Sequence, residues 1–293
     1  MSEGHAATGL QGLAEIISRQ YQPLTFSIVE IGARPIEAQH EPFYAILDAF
    51  PGSRVTAFEL DESLCAEMNR TARAGVRFHP AALGRRSEIR TLYHTAEPMC
   101  TSLYPPNEAF QRLYNNLEVG QLKSTESIAT ISLDEFAAGA DIEPVDFIKI
   151  DVQGAELDVF QGAPRILGQA LAIVSEVEFV PLYLDQPLFG EVCAFLDAHS
   201  FMFGRFLNMG GRSLKPLMID NDPNFRSQYM WADALFMRKV TTLSELPPEF
   251  WLRLGVLMTV YGSYDLAFFC FNLFDMKHST SICMTHYGFS GGD

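Results

Sequence analysis

Two hydrophobic rhythms alternate along this chain. Short runs of consecutive apolar residues, rich in β-branched side chains, read as buried strands, and between them apolar residues return every three or four positions, as on one helix face. Leu10, Leu13, Ile16 and Ile17 predict an opening amphipathic helix that covers a sheet edge and ends at Pro23. Phe26 to Ile31 is a first strand, Phe43, Ile46, Leu47 and Phe50 mark a helix, and Val55 to Leu60 follows the Pro51-Gly52 turn as a second strand. Leu64 and Met68 share the face of a helix that Asp61 is placed to cap. Val76 to Leu83 reads as a third strand. Strand, helix, strand, helix, strand in this order implies parallel pairing and right-handed crossovers.

The rhythm breaks from Arg85 to Thr130. That stretch carries one strand pattern, Ile89 to His94, then a loop-like run with Pro98, Pro105 and Pro106, so it is an insertion, either over a ligand crevice or at a sheet edge. Ser132 to Phe136 begins a capped helix. Phe147, Ile148 and Ile150 form a short buried strand that ends in Asp151-Val-Gln-Gly154, and Ala155, Leu157 and Phe160 start a helix. Pro164 restarts a short helix, and Leu171 to Phe179 is another strand. Leu188, Val192, Phe195, Leu196 and His199 make a helix face, and Phe201 to Leu207 pairs with Ala232 to Arg238 as an antiparallel hairpin. The pattern predicts an α/β, doubly wound, mostly parallel sheet over residues 1–242, with the insertion at about 85–130. Residues 243–293 form a helical, aromatic-rich C-terminal extension. Its two apolar faces are Phe250, Leu254, Leu257, Tyr261 and Leu266, Phe269, Cys270, Leu273, which suit helix packing or a homodimer interface better than a cofactor or lipid pocket.

Charge narrows the class. Of 293 residues, 21 are Lys or Arg and 36 are Asp or Glu, a net charge of −15 that works against a nucleic-acid backbone as partner. It suits a small neutral or cationic ligand. The five cysteines lie far apart with no metal-ligand spacing, so they read as reduced thiols, and no metal is expected. The first ten residues lack the basic-then-apolar order of a signal peptide, and Asp265 with Gly262-Ser263 interrupts the longest apolar stretch, so the expectation is a cytoplasmic protein without a membrane span.

Candidate chemistry gathers where strands end, because open α/β sheets bind ligands beyond their carboxyl edge. Asp151 is the leading candidate, with Lys149 second on the same strand face; the two are either a catalytic couple or a buried pair that neutralises itself. Gln153 and Glu156 point toward the same crevice, although Glu156 in a first helical turn also complements the helix dipole. Gly32, directly after a strand, permits close approach of the backbone to a ligand, and Glu30 beside it is either a ligand acceptor or an edge carboxylate. Glu59 ends the second strand, where a carboxylate accepts from a ribose diol. Ala81, Ala82 and Leu83 leave room for a flat ring, or simply pack tightly. His79 is a weaker candidate base, and Met99, Cys100 and Tyr104 of the insertion are placed to reach a substrate.

Asp146 to Glu156, with Val159-Phe-Gln-Gly-Ala163 after it, resembles the signature of the FkbM-type S-adenosylmethionine-dependent methyltransferases. Ala57-Phe-Glu59, Ala81-Ala-Leu-Gly84 and Ile131-Ser-Leu-Asp-Glu-Phe136 fit the same family, over roughly residues 26 to 205. The resemblance implies the seven-stranded, Rossmann-like sheet of class I methyltransferases and S-adenosylmethionine as cofactor. It places Glu30, Gly32 and Ala33 at the methionine end, Glu59 and Leu60 at the ribose, Ala82 and Leu83 beside adenine, and Asp151 near the sulfonium and acceptor. The implied reaction is O-methylation of a small-molecule or sugar hydroxyl, with Asp151 or a histidine such as His79 as base. One departure is the first loop, Gly32-Ala-Arg-Pro-Ile36, where Pro35 removes an amide donor. A binding protein that has lost turnover is the rival from another class; a nicotinamide-dependent oxidoreductase is a third reading, but lacks the second and third glycines it needs.

Overall fold

The structure is a computed structural model and describes residues 3–33, 41–140, 142, 144–222, 225–226 and 228–287. Helix α1 (Glu3–Gln20) leads into β1 (Ser27–Ile31), α2 (Tyr44–Ala49), β2 (Arg54–Glu59), α3 (Glu62–Thr71) and β3 (Val76–Pro80). Next come β4 (Ala82–Gly84), β5 (Glu88–Thr95), α4 (Glu108–Gln111), β6 (Leu122–Ser132), α5 (Leu133–Ala140) and β7 (Phe147–Ile150). The chain continues through α6 (Glu156–Gln161), α7 (Pro164–Gln169), β8 (Ala172–Glu178), α8 (Phe189–Ala198), β9 (Phe201–Gly210) and β10 (Trp231–Arg238). It closes with α9 (Pro248–Val260), α10 (Tyr264–His278) and α11 (Ile282–Tyr287).

Seven strands form the main sheet in the order β3-β2-β1-β7-β8-β10-β9, all parallel except β10, which runs antiparallel to both its neighbours. The chain winds outward from β1 to β3, then restarts on the other side of β1 with β7. The β1–β7 boundary is therefore the topological switch point, where such sheets open a crevice.

The third strand and the insertion differ from the sequence reading. Residues 76–83 do not make one strand: at Ala81 the N–H turns back to the His79 carbonyl at 3.0 Å, and β4 departs to pair with β6. It joins a second sheet of order β4-β6-β5. The sequence reading missed β6 because Leu122 to Ser127 are all exposed, so burial imposes no apolar alternation there.

Strand alternation sorts the apolar residues onto two faces. Ile28, Val55, Phe147, Val174 and Leu235 pack under α1, α2, α9 and α10. Val29, Phe58, Ile148, Ile150 and Phe236 pack against α5 to α8. Buried Arg238 ties the second layer to the sheet, donating to the carbonyls of Leu167 at 2.6 Å, Ala170 at 2.7 Å and His199 at 3.2 Å.

The extension is part of the first core. Leu254, Leu257, Tyr261, Leu266 and Cys270 of the two predicted faces are buried, but so are Phe271 and Phe274, while Phe269 is exposed. Most of the run expected to offer a homodimer face is thus spent on the chain's own sheet. Helices α9 and α10 cross closely at Gly255, where a Cβ would lie 2.4 Å from the Phe271 ring. Arg253 of α9 reaches Asp146 at 3.3 Å, just before β7. No helix among the described residues is long and apolar enough to cross a membrane. Phe271→Ala should therefore destabilise the whole chain, by about 3–5 kcal/mol, lowering Tm by roughly 10 °C in a single calorimetric transition; a separate low-temperature transition for the extension would contradict the shared core.

Candidate functional site

The site begins with backbone geometry at the switch point. Gly32 follows β1 with φ of 81°, and a Cβ there would lie 1.9 Å from the Asp151 carbonyl oxygen. The N–H groups of Gly32 and Ala33 both donate to the Phe58 carbonyl, at 3.0 and 2.9 Å, and Asp151 N–H donates to Ile31 O at 3.0 Å. Only glycine fits this approach, so the ends of β1, β2 and β7 are held together.

Beyond these ends lies a cavity of about 480 Å³, within the range of small-molecule and cofactor sites. Gly32, Glu59, Leu60, Ala82, Leu83, Asp151 and Gln153, all singled out from the sequence, line it. Glu59 also accepts from Asp61 N–H at 3.0 Å. The insertion supplies the opposite wall, with Leu92, Met99, Leu103 and Ile128 as its apolar part. Its segment Pro98 to Leu103 is fastened to the β7 turn: the Ser102 hydroxyl donates to the Gln153 carbonyl at 2.6 Å, and the Tyr183 hydroxyl lies 2.9 Å from Cys100 O and 3.0 Å from Gln153 Oε1. Of the two placements considered for the insertion, the structure has the one over the crevice. Glu59, Asp61, Glu126 and Asp151 bring four carboxylates to the lining, which has no lysine or arginine among the described residues.

Other candidates lie elsewhere. His79 sits between the rings of Phe58 and Phe136, at 5.9 and 5.2 Å, outside the cavity lining, and burial pushes its pKa down. Among the described residues the histidine that lines the cavity is His94, which the sequence reading passed over; its Nε2 lies 3.1 Å from Glu126 Oε1. Nothing in the sequence marked this pair, because β6 carries no strand signal. Tyr104 donates to Asp158 at 3.1 Å. Ala33 is buried in the first core. Residues 34–40, with the Pro35 departure, lie outside the described residues.

Glu30 and Lys149 sit one residue below the strand ends, in register with each other, on the face covered by α2 and α9. Glu30 accepts the Tyr44 hydroxyl at 2.6 Å. Burial raises its pKa to about 7, against the opposing effect of that hydrogen bond. Lys149 does not pair with Asp151 by contact: its Nζ donates to Asp233 Oδ1 at 2.8 Å, across two strands. Burial opposes its charge, but the carboxylates of Asp151, Asp233 and Glu41 prevail and raise its pKa. Glu156 is buried and accepts Val152 N–H at 2.8 Å, bracing the turn from behind. Burial raises its pKa to about 7.

The Methyltransferase FkbM domain matches residues 30–203, more than half of the chain. The chain belongs to the FkbM methyltransferase family. The family uses S-adenosylmethionine, and the glycine cradle at Gly32 with the acid-lined cavity fits a nucleoside that carries a cationic sulfur. No curated protein matches the chain in sequence. Among solved structures, a Thermoplasma acidophilum protein assigned as a methyltransferase shares 11% identity and a TM-score of 0.33, over 74% of this chain and 69% of its own. LepI in complex with SAM shares 9% identity at a TM-score of 0.33, over 78% of this chain but only 46% of its own. A Burkholderia thailandensis protein bound to S-adenosyl-homocysteine shares 11% identity at 0.29, over 81% and 77%.

The raised pKa of Glu30 has a measurable sign. The unfolded carboxyl releases its proton near the ordinary 4.5 and the folded one near 7, so stability is lost as pH climbs between those values. Glu30→Gln keeps an acceptor for Tyr44 without the charge. Its Tm should exceed that of the wild type by about 2–4 °C at pH 8, on the order of 1 kcal/mol, and match it near pH 4.5.

Proposed function

We propose that this FkbM-family methyltransferase carries a methyl group from S-adenosylmethionine to a hydroxyl on a small molecule or sugar. One observation carries the reading: Gly32, Glu59 and Asp151 line one cavity whose described residues include four carboxylates and no lysine or arginine. Bound there, the cofactor supplies a methyl on a sulfonium and leaves as a neutral thioether. The carboxylates favour the charged form over the product, and they disfavour phosphorylated or carboxylated acceptors. In this reading Glu59 accepts from the ribose diol and Leu60, Ala82 and Leu83 border the base; that all four line the cavity supports it. Asp151 takes the proton that the acceptor oxygen loses as its bond to the methyl carbon forms and the carbon–sulfur bond breaks. Much of the rate would come from alignment between the Asp151 turn and the insertion, since holding reactants in line supplies several kcal/mol. Lys149 holds Asp233, and the Asp151 carboxylate helps keep its buried ammonium charged, which makes it a supporting residue behind the cavity.

Calorimetric titration with S-adenosylhomocysteine and, separately, with NAD tests the cofactor. The expected result is micromolar binding of the first, weakened about tenfold by Glu59→Gln, and no binding of the second. Binding of NAD alone, or of neither, would remove the reading. Screening hydroxylated sugars and phenols for S-adenosylhomocysteine release should find an acceptor. Asp151→Asn should then lower kcat at least 100-fold while remaining folded by circular dichroism; near-normal turnover would take Asp151 out of the reaction.

A further inference from the structure

Asp151 meets two other acids on its protein side. Asp151, Glu156 and Glu176 each bring one carboxylate oxygen within 4.8 Å of the other two. Hard divalent cations are held by oxygen sets of this kind. In this chain a neutral side chain stands between two of the three. Gln153 Nε2 donates to Asp151 Oδ1 at 2.7 Å and to Glu176 Oε2 at 2.6 Å. A primary amide has two N–H protons, so both are used. Two accepting carboxylates require the N–H end of the amide to face them, and its oxygen then lies 3.0 Å from the Tyr183 hydroxyl, which also lies 2.9 Å from the Cys100 carbonyl.

We propose that Gln153 is the positioning residue for Asp151: its amide bridges the Asp151 and Glu176 carboxylates in the place a divalent cation would take, so the acceptor end of the cavity is built to work without one. The use made of Asp151 rests on the methyltransfer reading; the bridge does not. An amide and a cation both give each carboxylate a positive partner and set the spacing between them. They differ in charge. A bridging cation would make Asp151 a ligand and reverse the local field, whereas the amide leaves its negative charge free for a cationic sulfur and for a proton. Burial, and then the neighbouring Asp151, lift the pKa of Glu176 well above its ordinary value.

Manganese is the probe, because free Mn²⁺ is read directly by electron paramagnetic resonance. The full-length wild type should hold Mn²⁺ no more tightly than about 1 mM, and EDTA should leave its affinity for S-adenosylhomocysteine unchanged. Gln153→Glu exchanges the bridging donor for a fourth carboxylate; it should gain Mn²⁺ affinity at least about tenfold and lose the gain when combined with Asp151→Asn. Should Gln153→Glu not fold by circular dichroism, Gln153→Leu serves in its place, since it removes the donors at similar volume and should also bind Mn²⁺ more tightly than the wild type. Wild-type binding below about 0.1 mM that Asp151→Asn abolishes would overturn the proposal. So would Mn²⁺ affinity that stays at the wild-type level in the folded variant. Loss of S-adenosylhomocysteine binding by the wild type would count against the methyltransfer reading and leave the Mn²⁺ comparison to judge the bridge.

Discussion

Everything at the crevice depends on how closely the chain after β1 approaches the end of β7. At Gly32 the backbone occupies the space where a side chain would meet the Asp151 carbonyl, and it can do so because glycine tolerates a positive φ. That approach brings the two central strand ends to one level. The Gly32 and Ala33 amides then secure β2 through the Phe58 carbonyl, which brings Glu59 to the same rim. A larger residue at position 32 would separate the ends and remove the shared edge from which the cavity is built.

Polar groups near this edge form two tiers. Glu59, Asp151 and Gln153 stand at the rim and face the cavity. One residue lower, Glu30 and Lys149 are buried against α2 and α9, bonded to Tyr44 and Asp233. The lower tier's side chains are absent from the cavity lining, but the Asp151 carboxylate above them helps hold the buried Lys149 charged. Separating the tiers needs a single residue of offset, since Glu30 and Lys149 precede the last residue of their strands while Glu59 is the last of its own.

That offset also explains which parts the sequence revealed. β1, β2, β7 and β8 are buried on both faces, and burial writes continuous apolar runs that can be read directly. Gly32, Glu59 and Asp151 were legible because strand ends carry the chemistry of such sheets. Glu30 was grouped with them because sequence distance from Gly32 does not say on which tier a side chain falls. The partner of Lys149 was hidden for a related reason: Asp151 is two residues away in sequence, whereas Asp233 arrives from β10 through tertiary pairing. β6 and the cavity residues it brings, Glu126 and Ile128, were illegible because an exposed strand is under no pressure to alternate. In the C-terminal helices the apolar positions were visible but their phase was not, since residues 266, 267, 270, 271 and 274 form one continuous face that only the sheet beneath identifies.

The recognisable family pattern stops at residue 203, three residues into β9. What the family shares and what packs together are therefore different lengths of chain. The segment past that point completes one edge strand, supplies β10 and roofs half of the sheet. A fragment cut at the family boundary would leave the edge of β8 unpaired and a broad aliphatic surface wet, a combination that invites strand-to-strand aggregation. The boundary that a sequence comparison draws is thus a seam in recognisability, laid across one shared hydrophobic core.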